Sequence, residues 1–356
     1  MNLSMPVTGP QRVFGTFGIY RYVLACLVIL THLGPRQYGT VGLYAVFAFY
    51  ILSGYVASFI LHHTYLPLPG GLRKFAINRF LRIFPLYWVV MACTLPLLMA
   101  FPHEALQIST FHIVPQDIRD WAWNILAIGM VNPITGALYT HDILPVSWSL
   151  GVELIWWALI PKILIDSGLR RTLLYCSIGY TVCGIVFSIG LQRFAPSFQF
   201  WSAMAASLPF CTGVLLLMRK NRNHFVIPHS FGVITMIMFV VFIRNAPSFY
   251  TDPSSVEFFI GFIINVLLVA YLSQIDRKSL PMAVQKLDDF LGNLAYPIYL
   301  VHLPLGLAVH VMLPSLSVKG WTIWAIVTIL SSVTALILYH AVELPVNSIR
   351  RRMKHA

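Results

Sequence analysis

The chain has 356 residues, of which 58% are apolar and only 10% charged, with a formal net charge of +12. Ordinary globular domains carry about 25% charged residues, so there are too few here to cover a soluble surface of this size. The positive charge does not indicate nucleic acid, because the basic residues form short clusters between apolar runs rather than a stripe on a polar domain. Those runs are roughly 20 residues long, enough to cross about 30 Å of hydrocarbon, and the chain reads as an all-α polytopic membrane protein.

In chain order the apolar runs predict ten spanning helices, over 14–34, 40–62, 80–101, 144–166, 172–192, 201–218, 225–243, 256–274, 289–313 and 321–341. The apolar stretch 121–139 is broken by Asn132, Pro133 and Gly136. It is expected to be re-entrant or interfacial, in an outer loop. Basic residues decide this. With 121–139 not crossing and the N-terminus cytoplasmic, the inner side holds Arg12, Arg73, Lys74, Arg79, Arg82, Lys162, Arg170, Arg171, Arg219, Lys220, Arg222, Arg277, Lys278, Lys286, Arg350, Arg351, Arg352 and Lys354. The outer side holds only Arg36, Arg119, Arg193, Arg244 and Lys319. The opposite choice sends most later clusters outward, against the positive-inside rule. Both termini are therefore expected in the cytoplasm. The first helix is not a cleavable signal, since it contains Arg21 and His32 with no cleavage site after it. The five cysteines lie in apolar runs without a CxxC pair and read as small hydrophobes.

An ionisable side chain near the centre of a span costs about 2.5 to 3.5 kcal/mol, so each one is a functional candidate. Arg21 and His32 are eleven residues apart. At 100° per residue they fall within about 20° of one helix face, separated by a rise of about 16 Å. Arg21 would lie towards the cytoplasm and His32 towards the outside; snorkelling and interfacial placement remain the plain alternatives. Glu153 is too deep and too short to snorkel, and its alternative is a hydrogen-bonded structural carboxylate. His302, between tyrosines in AYPIYLVHLPL, is either functional or a helix–helix hydrogen-bonder. Arg79 and Arg82 share a face at the entry of the third span. They are either headgroup anchors or an anion site, for which the guanidinium fork is suited. His103, His112, His141 and Asp142 in the outer loop follow no metal-ligand spacing, and no metal or tightly bound cofactor is expected.

Six segments, in order, resemble the acyltransferase-3 family of integral-membrane carbohydrate O-acyltransferases. Arg21 and His32, separated by ten residues, are similar to its arginine–histidine motif, and FAFYILSGYVAS (47–58) to its "LSGF" segment. RFLRIFPLYW (79–88) resembles the arginine-rich third-helix entry, and SWSLGVE (147–153) the Trp-Ser-Leu-x-x-Glu segment. LGNLAYPIYLVHLPL (291–305) resembles Gly-x-x-Ser-Tyr-x-x-Tyr-Leu-x-His, and VELP (342–345) the closing Glu-x-Pro. Two positions depart from the pattern: Ala295 stands where serine is usual, and Phe47 where many members carry an acid.

The resemblance implies one membrane-embedded domain over 1–356, without an appended soluble domain, in a bacterial inner membrane. It implies transfer of an acyl group, most often acetyl, from cytoplasmic acyl-CoA to a hydroxyl of a surface or exported carbohydrate. Acyl-CoA, the glycan and the bilayer are then the partners, nucleic acid is not, and the oligomeric state stays open. His32, Glu153 and Arg21 are the expected catalytic residues, with His32 as general base or transient acyl carrier. Arg79, Arg82, Tyr87, Trp148 and Ser149 are expected at the donor. Tyr296, Tyr299 and His302 are expected at the acceptor. The competing reading is a transporter or flippase that uses Arg21, His32 and Glu153 as a relay.

Overall fold

A computed structural model describes residues 16–128, 141–190, 202–221, 227–249 and 255–355. Among these residues the chain is helical, with no named strand and one isolated backbone bridge between His112 and Asp142. The helices are α1 (Phe17–Leu33), α2 (Val41–Ile60), α3 (Gly71–Ala100), α4 (Pro102–Ile108), α5 (Ile118–Leu126), α6 (Trp148–Ile165), α7 (Ser167–Gly190), α8 (Ala203–Asn221), α9 (His229–Phe249), α10 (Ser255–Leu272), α11 (Met282–Met312), α12 (Trp321–Leu338) and α13 (Leu344–His355). Single π-turns extend α2 through Tyr65 and join α12 to α13. Helices dominate because an apolar chain in lipid must satisfy its backbone groups internally.

Six helical runs described here have the length and apolarity to cross a bilayer: 36–65, 71–100, 145–165, 229–246, 282–312 and 321–353. Three more, 17–33, 203–219 and 257–272, are apolar but shorter. Helix α1 has 17 residues, a rise of about 25 Å, which falls short of the roughly 20 residues a straight span needs. The predicted span 172–192 falls on α7, whose side chains are described only as far as 186. Of the residues used to assign sides, Arg12, Arg193 and Arg222 lie outside the described residues, as do the side chains of Lys220 and Lys354.

Burial separates centre from periphery. The apolar stretches of the α2 run and of α11 are 72% and 78% buried within the protein, against 22% for α9 and for the α12–α13 run. Helix α1 packs against α2, α11 and α12, and α2 also meets α6, α8 and α10. Small residues allow this closeness, as in other membrane helix pairs. A Cβ on Gly54 would stand 2.4 Å from the Phe210 carbonyl oxygen of α8, and one on Gly213 would stand 2.2 Å from the Ile51 oxygen of α2.

Polar ties hold α1 to each neighbour. The Ile19 amide donates to Asp288 of α11 at 2.8 Å, satisfying one of the free donors at the start of the helix. Tyr20 donates to Asn265 of α10, and the Tyr22 hydroxyl lies 3.1 Å from Ser332 of α12. Near the other end, Thr31 accepts from the Gly42 amide at the start of α2.

The segment predicted as re-entrant or interfacial is described as far as residue 128, and 129–140 lie outside the described residues. Its first part completes α5. Asp117 caps that helix by accepting from the Asp120 amide at 2.8 Å, and Ala127 ends it in the left-handed region (φ 51°). Asn124 then ties the loop together. Its amide group donates to the His141 carbonyl at 2.8 Å, and its side-chain oxygen accepts from the Ile143 amide at 2.9 Å. Tyr87 donates to the Asn124 carbonyl (2.6 Å) and Trp88 to that of Ile125 (2.8 Å), which docks α5 on α3.

Candidate functional site

Helices α1, α2, α3, α6 and α11 enclose a cavity of about 150 Å3. Its wall carries the side chains least expected among apolar helices. Arg21 comes from α1, Ser53 from α2, Arg79 and Arg82 from α3, Ser149 and Glu153 from α6, and Tyr296 and Tyr299 from α11. Seven of the eleven sequence-predicted site residues thus face one space. Tyr87, Trp148, His32 and His302 do not line it.

Each polar wall group is held by its neighbours. Ser53 accepts from the Trp157 indole at 2.7 Å and donates to Glu153 Oε1, so the hydroxyl has one orientation and points its proton at the carboxylate. The Arg79 guanidinium stacks on Trp157, 4.9 Å from the ring centroid, and donates to Asn78 at 3.2 Å. Arg82 forms an ion pair with Glu343 at 3.0 Å and lies over the Tyr296 ring. Tyr296 donates to the Ile83 carbonyl at 3.0 Å; Tyr299 donates to that of Val146 at 2.8 Å and lies 2.7 Å from Ser149 Oγ. Three guanidiniums and one carboxylate therefore face the cavity, which makes it cationic.

His32 lies beyond this cavity, at the other end of α1. Its ring centroid is 5.3 Å from that of His302, and no hydrogen bond joins His32 to Glu153 among the described residues. His302 is fully buried, with Nδ1 2.8 Å from the Tyr299 carbonyl oxygen. A carbonyl only accepts, so Nδ1 carries the proton and neutral His302 keeps its lone pair on Nε2, which has no hydrogen-bond partner. Tyr299 links the two levels, since its hydroxyl is in the cavity wall and its carbonyl sets the tautomer of His302. Tyr87, expected at the donor, donates to the Asn124 carbonyl in the segment between α3 and α6.

Glu343 and Ser53 acquire their partners only in the folded chain, although both stand in quoted motifs, VELP and YILSGY. Their partners Arg82 and Glu153 are 261 and 100 residues away, a separation that no local pattern encodes. The motifs themselves were the available signal.

Beyond the histidine pair sits the segment between α3 and α6. His112 and Asp142 are buried there, 1% and 3% exposed, with their backbones bridged. Burial pushes the His112 imidazole down to about 4 and the Asp142 carboxyl up to about 8, the latter helped by the nearby Asp120 charge. Both side chains are neutral at pH 7. Asp142 is protonated in the docked loop and ionises when the loop opens. Its contribution is complete below about pH 4, the ordinary aspartate value, and is lost as pH rises towards about 8. Amide exchange of 109–114 and 141–144, corrected for intrinsic rate, should show weakening protection between pH 5 and pH 9. Asp142→Asn should flatten that trend; an unchanged trend would show that another group titrates.

Comparison with known proteins gives one match. The acyltransferase domain of the acyltransferase-3 family covers residues 17–340. No curated protein and no solved structure matches the chain. The matched region contains all five helices that wall the cavity, and both histidines above it. The chain belongs to the acyltransferase-3 family, and its chemistry is acyl transfer.

Proposed function

We propose that the protein transfers an acetyl group from cytoplasmic acetyl-CoA to a hydroxyl of a surface or exported carbohydrate, across a bacterial inner membrane that it spans ten times with both termini inside. The observation that carries this reading is the cationic cavity: Arg21, Arg79 and Arg82 around a single carboxylate, among apolar helices. Such a space suits a polyanionic donor and is costly to maintain otherwise. The basic clusters in the sequence support a cytoplasmic opening, and the opposite end of α1 carries His32, a residue type suited to take a proton from an alcohol.

On this reading the phosphates stay with the arginines while the thioester lies further along α1. The rise of about 16 Å from Arg21 to His32 is comparable with the length of a pantetheine arm. His32 or His302 removes the acceptor proton as the hydroxyl oxygen attacks the thioester carbonyl; the thiolate leaves as CoA. Glu153, held by Ser53, offsets part of the mutual repulsion of the guanidiniums.

The reading is tested by incubating the purified chain with radiolabelled acetyl-CoA and glycans from the native host. Label should become covalently attached to a glycan; movement of glycan without label would instead indicate a transporter. Glu153→Gln, which keeps the shape and a hydrogen bond to Ser53, should lower turnover about 100-fold or more at unchanged protein abundance. Lost abundance with normal specific activity would make Glu153 purely structural.

A further inference from the structure

The inner rim of the cavity has polar groups that the cavity wall does not use. Arg350 of α13 donates to Asn78 Oδ1 at 3.2 Å, and Arg79 donates to the same oxygen at 3.2 Å. Two guanidiniums thus share this neutral acceptor, and Arg350 also donates to Asn347 Oδ1 at 2.5 Å. Each also keeps a buried Nε without a hydrogen-bond partner, as Glu343 does with Oε2. Arg82, Glu343, Asn347 and Arg350 border a second, smaller pocket between α3 and α13, and Arg82 belongs to the walls of both spaces.

The charges do not balance. Arg21, Arg79, Arg82 and Arg350 bring four guanidiniums; the carboxyl groups among them are Glu153 and Glu343, with Asp288 close enough to Arg21 to act on its charge. A rim where guanidiniums outnumber carboxyl groups and two Nε donors are unused suits an anion with several acceptor oxygens. A phosphate monoester carries about −2 at neutral pH and matches the guanidinium fork, whereas a lipid phosphodiester carries one charge.

We propose that Arg350, coupled to Arg79 through Asn78 and next to Arg82, forms a subsite for the terminal phosphate monoester of the donor, which makes α13 part of the donor site. This rests on the reading of the cavity as an acyl-CoA site. The ribose 3′-phosphate of acetyl-CoA is the group it takes.

The test measures binding of acetyl-CoA and of acetyl-3′-dephospho-CoA to the full chain in phosphatidylcholine nanodiscs, with and without phosphatidylglycerol. The wild-type chain should bind acetyl-CoA about tenfold more tightly, the worth of a charge-assisted contact. Arg350→Gln should reduce that ratio below about twofold by weakening acetyl-CoA alone, while Arg351→Gln, at an exposed neighbour, should preserve it. If Arg350→Gln does not fold, Arg350→Lys decides: it keeps the charge without the fork and should lower the ratio, and a ratio equal to wild type overturns the subsite. Equal wild-type binding of the two donors, or an Arg350→Gln chain that still discriminates, overturns the subsite and leaves the donor reading standing. Competition by phosphatidylglycerol that depends on Arg350, without discrimination between donors, assigns the site to a headgroup and also overturns it. Wild-type binding of neither donor overturns the donor reading together with the subsite.

Discussion

A His32→Ala chain should fold normally and lose acyl transfer by about 100-fold or more, the usual contribution of a positioned general base. Normal folding is expected because His32 makes no hydrogen bond among the described residues and is only partly buried, so its removal leaves no orphaned partner. The loss is expected because His32 and His302 stand ring to ring at the end of α1 away from Arg21, where a proton from the acceptor can be taken up. The comparison that gives the result meaning is His302→Ala. If His32→Ala retains full activity while His302→Ala abolishes it, the base is His302, whose tautomer the Tyr299 carbonyl already sets. If both retain activity, the site of chemistry is elsewhere. Turnover is read with donor at saturation, so that a loss of donor affinity is not mistaken for a loss of catalysis.

Gly213→Leu should leave little folded protein. A Cβ alone would stand 2.2 Å from the Ile51 oxygen and 2.7 Å from the Tyr55 nitrogen, both backbone atoms that cannot turn aside. Helices α2 and α8 would have to separate along the whole contact, at a cost of about 3 kcal/mol or more. Gly54→Leu should behave alike, since its Cβ meets the Phe210 oxygen at 2.4 Å. Gly179→Leu is the control, as a Cβ there meets nothing within 4 Å. Thermal unfolding in detergent, together with the monodisperse fraction after extraction, reads the difference. A Gly213→Leu chain that unfolds within a few degrees of wild type would mean that α2 and α8 are not so close.

Much of the site was legible in one dimension because helices and membranes both impose simple rules. The 3.6-residue period puts Arg21 and His32 on one side of α1, and the cost of burying charge marks Glu153 before any contact is known. What the period cannot give is the neighbour. Glu153 is paired with Ser53 rather than with His32, and His32 with His302, because tertiary packing sets α2 beside α6 and α11 beside α1. Tyr87 shows the same limit: it follows the arginine pair in sequence, and its hydroxyl donates to the Asn124 carbonyl of α5, a partner that only the folded chain reveals. The predicted apolar runs coincide within a few residues with α1, α2, α8, α10 and α12, whereas α3 and α11 begin several residues earlier, at ends too polar to read as membrane-embedded.

The fastening of α1 to α2, α10, α11 and α12 has a further meaning for how such a catalyst cycles. A rod tethered on every side is a poor piston, so the gap between its arginine and its imidazole acts as a fixed gauge. On the proposed donor reading the travelling part is then the small molecule itself, threading its flexible tether past a stationary ruler, and any breathing needed for product escape falls to the least buried helices, such as α9.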